Sequence, residues 1–242
     1  MANDTLMSIR DLKTVDEEVK RELRDDIPIL NELHAFLWHE KNASDDPWRS
    51  SGYYSPSSLA YCARAMYYQR TEVEQRNCLE AQTRITFGVG HAVHDMLQSW
   101  LVEALGEDAV EMEVVCTDED LHIKGAADGL LELEHFRKLL EIKTISAKGY
   151  ADLSKPKPEH VLQTHCYAYM LDTPLIDYIY VSKEWPHEIK VFSTFFDRVV
   201  WGKARDKLES IEACVQAENP PPQEVGRGCW ECKFRWHCEP DL

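Results

Sequence analysis

Leu139-Leu140-Glu141-Ile142-Lys143-Thr144 is a β-prone apolar run that carries a carboxylate and an ammonium two residues apart. Side chains alternate between the two faces of a strand, so Glu141 and Lys143 project from one face. Burying both is costly, and a core strand has no packing reason to carry them. Two readings fit the stretch alone. It is either an edge strand with a solvated i, i+2 ion pair or part of a metal site. In the second case a hard oxygen ligand stands beside a cation that offsets developing negative charge. The sequence on either side decides between them.

Upstream, Val110 to Cys116 reads as a strand, Asp118-Glu119-Asp120 as a turn and Leu121 to Leu133 as a second strand, with another turn near Glu134-His135. Three consecutive antiparallel strands place Asp128 on the strand beside Glu141, where both carboxylates can converge on one cation. Downstream, Pro156 and Pro158 introduce a helix from Glu159 to Leu171 that carries Gln163 and Tyr167 at i, i+4. Strands around Ile176 to Ser182 and Glu188 to Phe196 follow, then a helix from Asp197 to about Gln216. The pattern predicts an α/β core, a sheet flanked by helices.

On the N-terminal side, residues 1–50 predict two helices, roughly Ile9 to Arg24 and Pro28 to Asn42. Leu30, Leu33, Phe36 and Leu37 make an apolar stripe on the second, which suits a helical appendage. Ser55 to Tyr68 predicts one helix with Ser55 as its cap, Pro56 in its first turn and Cys62 inside it. Gly88 and Gly90 mark a helix start that runs to about Leu105, with His91 and His94 three residues apart on one face.

At 242 residues the chain makes one domain, or one domain with an appendage. Its net charge of −16 is unlike that of an overall basic nucleic-acid binder. Arg137, Lys138, Lys143, Lys148, Lys155 and Lys157 nevertheless gather around the opening strand, and a local patch is what phosphate contact needs. No apolar run is long enough to span a membrane, and the charge between Asp4 and Asp26 does not suit a secretory leader. The expected address is therefore cytoplasmic, with no membrane partner.

Eight cysteines without a leader suit thiolate ligands or buried thiols better than a disulfide framework. Cys78, Cys116, Cys166 and Cys214 stand singly and read as small buried hydrophobes. Cys229, Cys232 and Cys238 form a C-x2-C-x5-C pattern in a tail beyond the stiff Asn219-Pro220-Pro221-Pro222 linker. A tail this short cannot build its own core, so a metal centre is expected to order it, with Cys62, His237 or another cysteine as a fourth ligand.

Taken together, these residues resemble the RecB-like branch of the PD-(D/E)XK nucleases, and within it the iron–sulfur exonucleases typified by the CRISPR-associated RecB-type family and the AddB nuclease domain. The family's Gly-x-x-x-His matches Gly90 and His94, its Gly-x-x-Asp matches Gly125 and Asp128, and its Glu-x-Lys matches Glu141 and Lys143. Its Gln-x-x-x-Tyr matches Gln163 and Tyr167, and its one-plus-three cysteines match Cys62, Cys229, Cys232 and Cys238. The resemblance covers residues 53 to about 240. It implies a PD-(D/E)XK restriction-endonuclease-like core over 51–242 that ends in the cysteine cluster, with 1–50 as an N-terminal helical appendage.

The resemblance further implies that His94, Asp128, Glu141 and the Ile142 backbone carbonyl hold Mg²⁺ or Mn²⁺. Lys143 would orient or deprotonate the attacking water and offset charge. Gln163 and Tyr167 would position DNA, or Tyr167 would only brace the site. The four cysteines would carry a 4Fe–4S cluster, with Zn²⁺ as the competing occupant. The implied activity is a metal-dependent DNA exonuclease acting on single-stranded ends, 5′ to 3′. The alternatives are a non-catalytic iron–sulfur DNA-binding adaptor, or a DNA-trimming or endonuclease subunit of a recombination or CRISPR integration complex. Self-association, or partner proteins of that kind, would accompany these readings.

Overall fold

The computed structural model describes residues 52–75, 81–134, 136–184, 187–226, 228–229 and 232–238. The two expected N-terminal helices and Cys78 lie outside the described residues. In chain order the helices are a 3₁₀ turn at Pro56–Ala60, α1 (Ala63–Arg70), α2 (Ala81–Leu105), α3 (Ala147–Ala151), α4 (Pro158–Met170), α5 (Arg198–Gln216) and the short α6 (Arg235–Cys238). The strands are β1 (Val110–Asp118), β2 (Ile123–Leu133), β3 (Phe136–Ile145), β4 (Leu175–Ser182) and β5 (Ile189–Phe195).

The five strands make one sheet in sequential order. Neighbours are antiparallel except β3 and β4, which run parallel with Glu141 beside Tyr178 and Lys143 beside Tyr180. A parallel pair needs a long crossover, and α3 and α4 supply it. The result is the expected α/β architecture, with helices on both faces of a mixed sheet.

The faces differ in what they bury. Against α4 lie Val114, Cys116, Ala127, Leu130, Leu139, Ile145, Ile176, Tyr178 and Tyr180, packed on Tyr167 and Ala168. Ile142 and Val181 point the other way, onto Leu97 of α2. A third cluster ties Tyr54, Leu59, Met66 and Tyr67 to Trp201, Ala204, Leu208 and Ile211 of α5. Asp197 caps α5 by accepting the Val199 N–H at 2.7 Å. Cys116 and Cys166 are buried thiols, and Cys214 is half-buried. Among the described residues no helix is long and apolar enough to cross a membrane.

Two expected helices begin elsewhere. The segment Ser55 to Tyr68 is not one helix: Tyr61 is extended and Cys62 is the cap residue of α1 rather than an interior one. The break lets Leu59 and Met66 enter the same core cluster. Lys207 Nζ donates to the freed carbonyls of Leu59 and Tyr61 at 2.8 and 2.6 Å. The Ser55 hydroxyl makes no capping bond and lies 2.8 Å from Ser57 Oγ. Helix α2 already starts at Ala81, so Gly88 and Gly90 are interior and do not mark its start. Gly90 has a packing reason: a Cβ there would come 3.2 Å from Thr144 Oγ1, so its absence lets α2 lie close on β3.

Gly125 sits under Tyr167, where a Cβ would lie 2.8 Å from the phenol oxygen and 3.0 Å from Pro56 Cδ. Both neighbours are held in packed structure, so Gly125→Ala should destabilise the fold by about 1–3 kcal/mol. Gly88→Ala meets nothing within 4 Å and removes a helix-interior glycine. It should stabilise by up to about 1 kcal/mol. Urea denaturation of the two variants should therefore give shifts of opposite sign.

Candidate metal centre and active site

The site forms where the sheet forks. The β2–β3 ladder ends at Gly129–Leu140, and the next free backbone donor, Ile142 N–H, is taken by Asp128 Oδ2 at 2.6 Å. The N–H and C=O of a strand residue point the same way, so the Ile142 carbonyl faces the same gap. Ala127 and Leu130 are three apart yet share one core cluster, which strict alternation would forbid. The alternation of β2 therefore slips a phase around Asp128. Opposite, on β1, Glu113 adopts φ +54°, a left-handed conformation that non-glycine residues rarely take. It falls between the paired residues Met112–Gly129 and Val114–Ala127. The Gln98 side-chain amide pins both strands, donating to Glu113 Oε1 at 2.7 Å and to the Asp128 carbonyl at 3.0 Å.

His94 reaches the fork from α2, one helical turn after the close approach at Gly90. Its Nε2 lies 3.2 Å from Asp128 Oδ1 and its Nδ1 4.0 Å from Glu113 Oε1. Ligand atoms of His94, Glu113 and Asp128 all lie within 4.8 Å of one another. Adjacent ligands of an octahedral Mg²⁺-sized cation stand about 3 Å apart, so the His94–Asp128 spacing suits such an ion. The hydrogen bond with Asp128 raises the His94 pKa, against the opposing effect of burial.

Glu141 and Lys143 enter from the α4 side. Glu141 has no exposed surface, and its Oε1 lies 2.5 Å from Lys143 Nζ. Its Oε2 has no hydrogen-bond partner among the described residues. Burial pushes the Glu141 carboxyl up, and the neighbouring Asp128 pushes it further, while Lys143 and His94 pull against them. For Lys143, burial acts to lower the pKa, but the Glu141 and Asp128 carboxylates outweigh it and the net direction is up. The two form a buried pair in which each charge supports the other, and a further positive charge beside them would favour the ionised Glu141 carboxylate.

On α4, Gln163 is half-buried and Tyr167 is buried. Tyr167 packs against Gly125 and Pro56, and burial holds its hydroxyl far above the ordinary range. The structure thus places Tyr167 in the wall of the site, with Gln163 one turn nearer the start of the helix. His91 is exposed on α2.

At the far end, the tail docks on α1. His237 Nε2 lies 2.9 Å from the Glu74 carbonyl, Tyr68 packs against Phe234 at 5.8 Å, and Arg64 Nε donates to the Pro221 carbonyl at 2.7 Å. The proline linker is packed down by that last contact and does not hang free. Cys62, Cys229, Cys232 and Cys238 are all free, half-buried thiols. Burial raises the Cys232 thiol, the Phe234 backbone lowers it, and the nearby Cys229, Cys62 and Cys238 thiols add to the rise. Cys62 caps α1 and the other three lie in the tail that docks on it, but no three of the thiols lie within 4.8 Å of one another.

Two residues of the fork escape a reading of the sequence. Glu113 alternates with apolar neighbours as a solvated glutamate would. Gln98 carried one usable signal, its position four residues after His94 on the same helical face.

No family model matches this sequence, and no curated protein matches it. Solved structures do. The alkaline exonuclease LHK-Exo from Laribacter hongkongensis superposes with a TM-score of 0.55, covering 69% of this chain and 89% of that one at 16% identity. The same enzyme in complex with dAMP gives 0.56 over 71% and 92%, also at 16% identity. SSO0001 gives 0.52 over 88% of this chain and 98% of its own, at 18% identity. The fold is thus the α/β core of the PD-(D/E)XK type.

His160, on the α4 face that carries Gln163, is pulled down from the ordinary 6.5 to about 4, by burial first and then by the Lys143 charge. Between those values the unfolded chain binds a proton that the folded chain does not. This contribution to stability is complete above pH 6.5 and is lost as the pH falls toward about 4. His160→Gln should therefore flatten the fall in stability across that window, as read by denaturation midpoints at a series of pH values.

Proposed function

We propose that this chain is a divalent-metal-dependent DNA exonuclease of the RecB-like kind, hydrolysing phosphodiester bonds at single-stranded ends in the 5′ to 3′ direction. The observation that carries the reading is Glu141, a carboxylate with no exposed surface and one unpartnered oxygen, set between Asp128 and Lys143. A group of that kind is costly in a sheet unless a cation completes it. Residues 51–242 form the nuclease domain in this reading, with 1–50 an appendage.

The donors fit a hard divalent ion: carboxylate and carbonyl oxygens with one imidazole. His94, Asp128, Glu141 and the Ile142 carbonyl would hold Mg²⁺ or Mn²⁺, with Glu113 within reach of the same position. When bound, the ion would supply Lewis-acid polarisation of the phosphate. The chain's own residues do the rest. Asp128 spans the fork by accepting from Ile142 N–H, which fixes one carboxylate oxygen and leaves the other facing His94. Lys143 stays protonated, so its part is to donate to the phosphate oxygen on which charge builds as water adds and the leaving oxygen departs. Gln163 would contact the strand, and Tyr167 would brace the wall behind it.

Arg137 and Lys138 are engaged by Glu132 and Asp177 at 2.6 and 3.0 Å. Lys148, Lys155 and Lys157, of the same basic cluster in the sequence, are left for backbone phosphates. The dAMP bound to LHK-Exo is in keeping with a nucleotide-sized site on this fold. The rival adaptor reading has no use for the buried Glu141–Lys143 pair.

The cysteines would hold a 4Fe–4S cluster. All four are free and half-buried, with Cys62 at the start of α1 and the other three in the tail that packs on α1, which suits a group that staples the two together.

End-labelled single-stranded DNA should be degraded with Mg²⁺ or Mn²⁺ and spared with a chelator, and the order of products gives polarity. Asp128→Ala, Glu141→Ala and Lys143→Ala should each lower the rate by orders of magnitude while thermal unfolding stays cooperative. Activity retained in all three would overturn the site. Mn²⁺ should raise the Tm of the wild type and leave that of Asp128→Asn unmoved.

Purified protein should show a broad absorbance near ~400 nm that Cys232→Ser removes, as for a thiolate-ligated iron cluster. A colourless protein carrying zinc would overturn the iron assignment.

A further inference from the structure

His160 and Tyr180 form a polar pair beside the site that the mechanism above does not use. Tyr180 has no exposed surface, and its hydroxyl accepts the Lys157 N–H at 3.0 Å and lies 2.7 Å from His160 Nδ1. A buried hydroxyl must place its own hydrogen, and among the described residues His160 Nδ1 is the acceptor in reach. Nδ1 therefore accepts, and the proton of the neutral ring sits on Nε2. The two rings also stack, with centroids 5.5 Å apart and an interplanar angle of 29°, so orientation is fixed along with tautomer.

The pair is well placed to meet a substrate. Tyr180 is the register partner of Lys143 across the parallel β3–β4 ladder, so the stacked histidine lies in the neighbourhood of that ammonium. Lys143 and Asp128 both act electrostatically on the ring. His160 begins the i, i+3, i+7 face of α4 that continues through Gln163 and Tyr167. The ring is half-exposed, and Nε2 lies on the side away from the Tyr180 hydroxyl.

The geometry points to His160 as a substrate-positioning residue whose Nε2–H donates to a non-bridging phosphate oxygen of the bound strand, with the Tyr180 hydroxyl holding the ring in its donor tautomer. A phosphate oxygen is the natural acceptor because every nucleotide presents one beside the scissile bond, whatever its base. The inference rests on the nuclease reading and deepens it, since it adds a phosphate contact away from the metal ligands.

The test uses full-length protein and single-stranded DNA carrying one methylphosphonate linkage, moved along the strand one position at a time. A hydrogen bond to a charged acceptor corresponds to roughly a ten- to hundredfold change in binding. His160→Ala should raise KM by about tenfold or more with kcat little changed, and His160→Gln, which keeps an N–H at similar reach, should recover most of the loss. Tyr180→Phe should give a smaller loss of the same kind. At one linkage position the methylphosphonate should weaken the wild type and cost His160→Ala nothing further.

Anisotropy of labelled DNA in chelator reads binding apart from cleavage. A wild type that neither binds nor cleaves overturns the nuclease reading, and this inference with it. A wild type that cleaves, with an unchanged KM in His160→Ala or additive losses at every linkage position, overturns this inference alone. A kcat loss that Gln does not rescue shows a structural role and overturns it too.

Discussion

The arrangement depends on a carboxylate buried in the middle of a sheet. Glu141 has no exposed surface and one neighbouring cation, Lys143, which is itself only a quarter exposed. Desolvating an ion costs several kcal/mol even after a protein relaxes around it, and one partner with poor angular geometry does not offset that. The charges around it do not cancel that cost, since Asp128 adds to it while Lys143 and His94 oppose it. Asp128 and His94 stand close enough to act on Glu141, and the direction of its shift is what a carboxyl awaiting a second cation would have. A packing role would be filled better by leucine, so the pair makes sense as equipment for a site.

The opening in the sheet has a cost that side chains meet. Ending the β2–β3 ladder at Gly129–Leu140 leaves backbone groups that a regular sheet would have paired. Asp128 takes the Ile142 N–H, and Gln98 supplies an amide to the Asp128 carbonyl while holding Glu113. The second Asp128 oxygen faces His94 and the same Gln98 amide also holds Glu113, so the repair of the fork also positions these side chains. The left-handed φ of Glu113 belongs to the same distortion, strain located where two strands change phase together.

Much of this was legible in the sequence and some was not, for a physical reason. Periodicity identified the five strands, the crossover helix and α5, because their buried faces are regular. It placed Asp128 next to Glu141 because hairpin register follows from turn position. It missed Glu113 because the reading assumed unbroken alternation, and the phase slip at Asp128 is visible only once Ala127 and Leu130 are seen in one cluster. It ran a single helix through Tyr61 because helix propensity there is unremarkable. What breaks that helix is tertiary: Lys207, about 150 residues on, captures two carbonyls that a continuous helix would have used itself.

The tail raises the question of what holds the two ends of the domain together. The contacts Arg64–Pro221 and Glu74–His237 join residues 157 and 163 apart and enclose the whole sheet. Closing a loop of that length has an entropy cost that grows only slowly with length but is never small. Among the described residues the tail is held by a few hydrogen bonds and by Phe234, a buried apolar side chain, each worth about 1–3 kcal/mol. Such contacts are weak against that cost, and yet four free thiols belong to the two segments joined here, Cys62 at the start of α1 and three in the tail. A group bonded to all four would make the closure nearly covalent and would constrain the unfolded chain as a disulfide does. It would also fix α1 and, through Leu59 and Tyr67, the wall that carries α4. The cysteines lie outside the fork, but the rigidity they would confer reaches it through Pro56 and Tyr167, which both pack against Gly125.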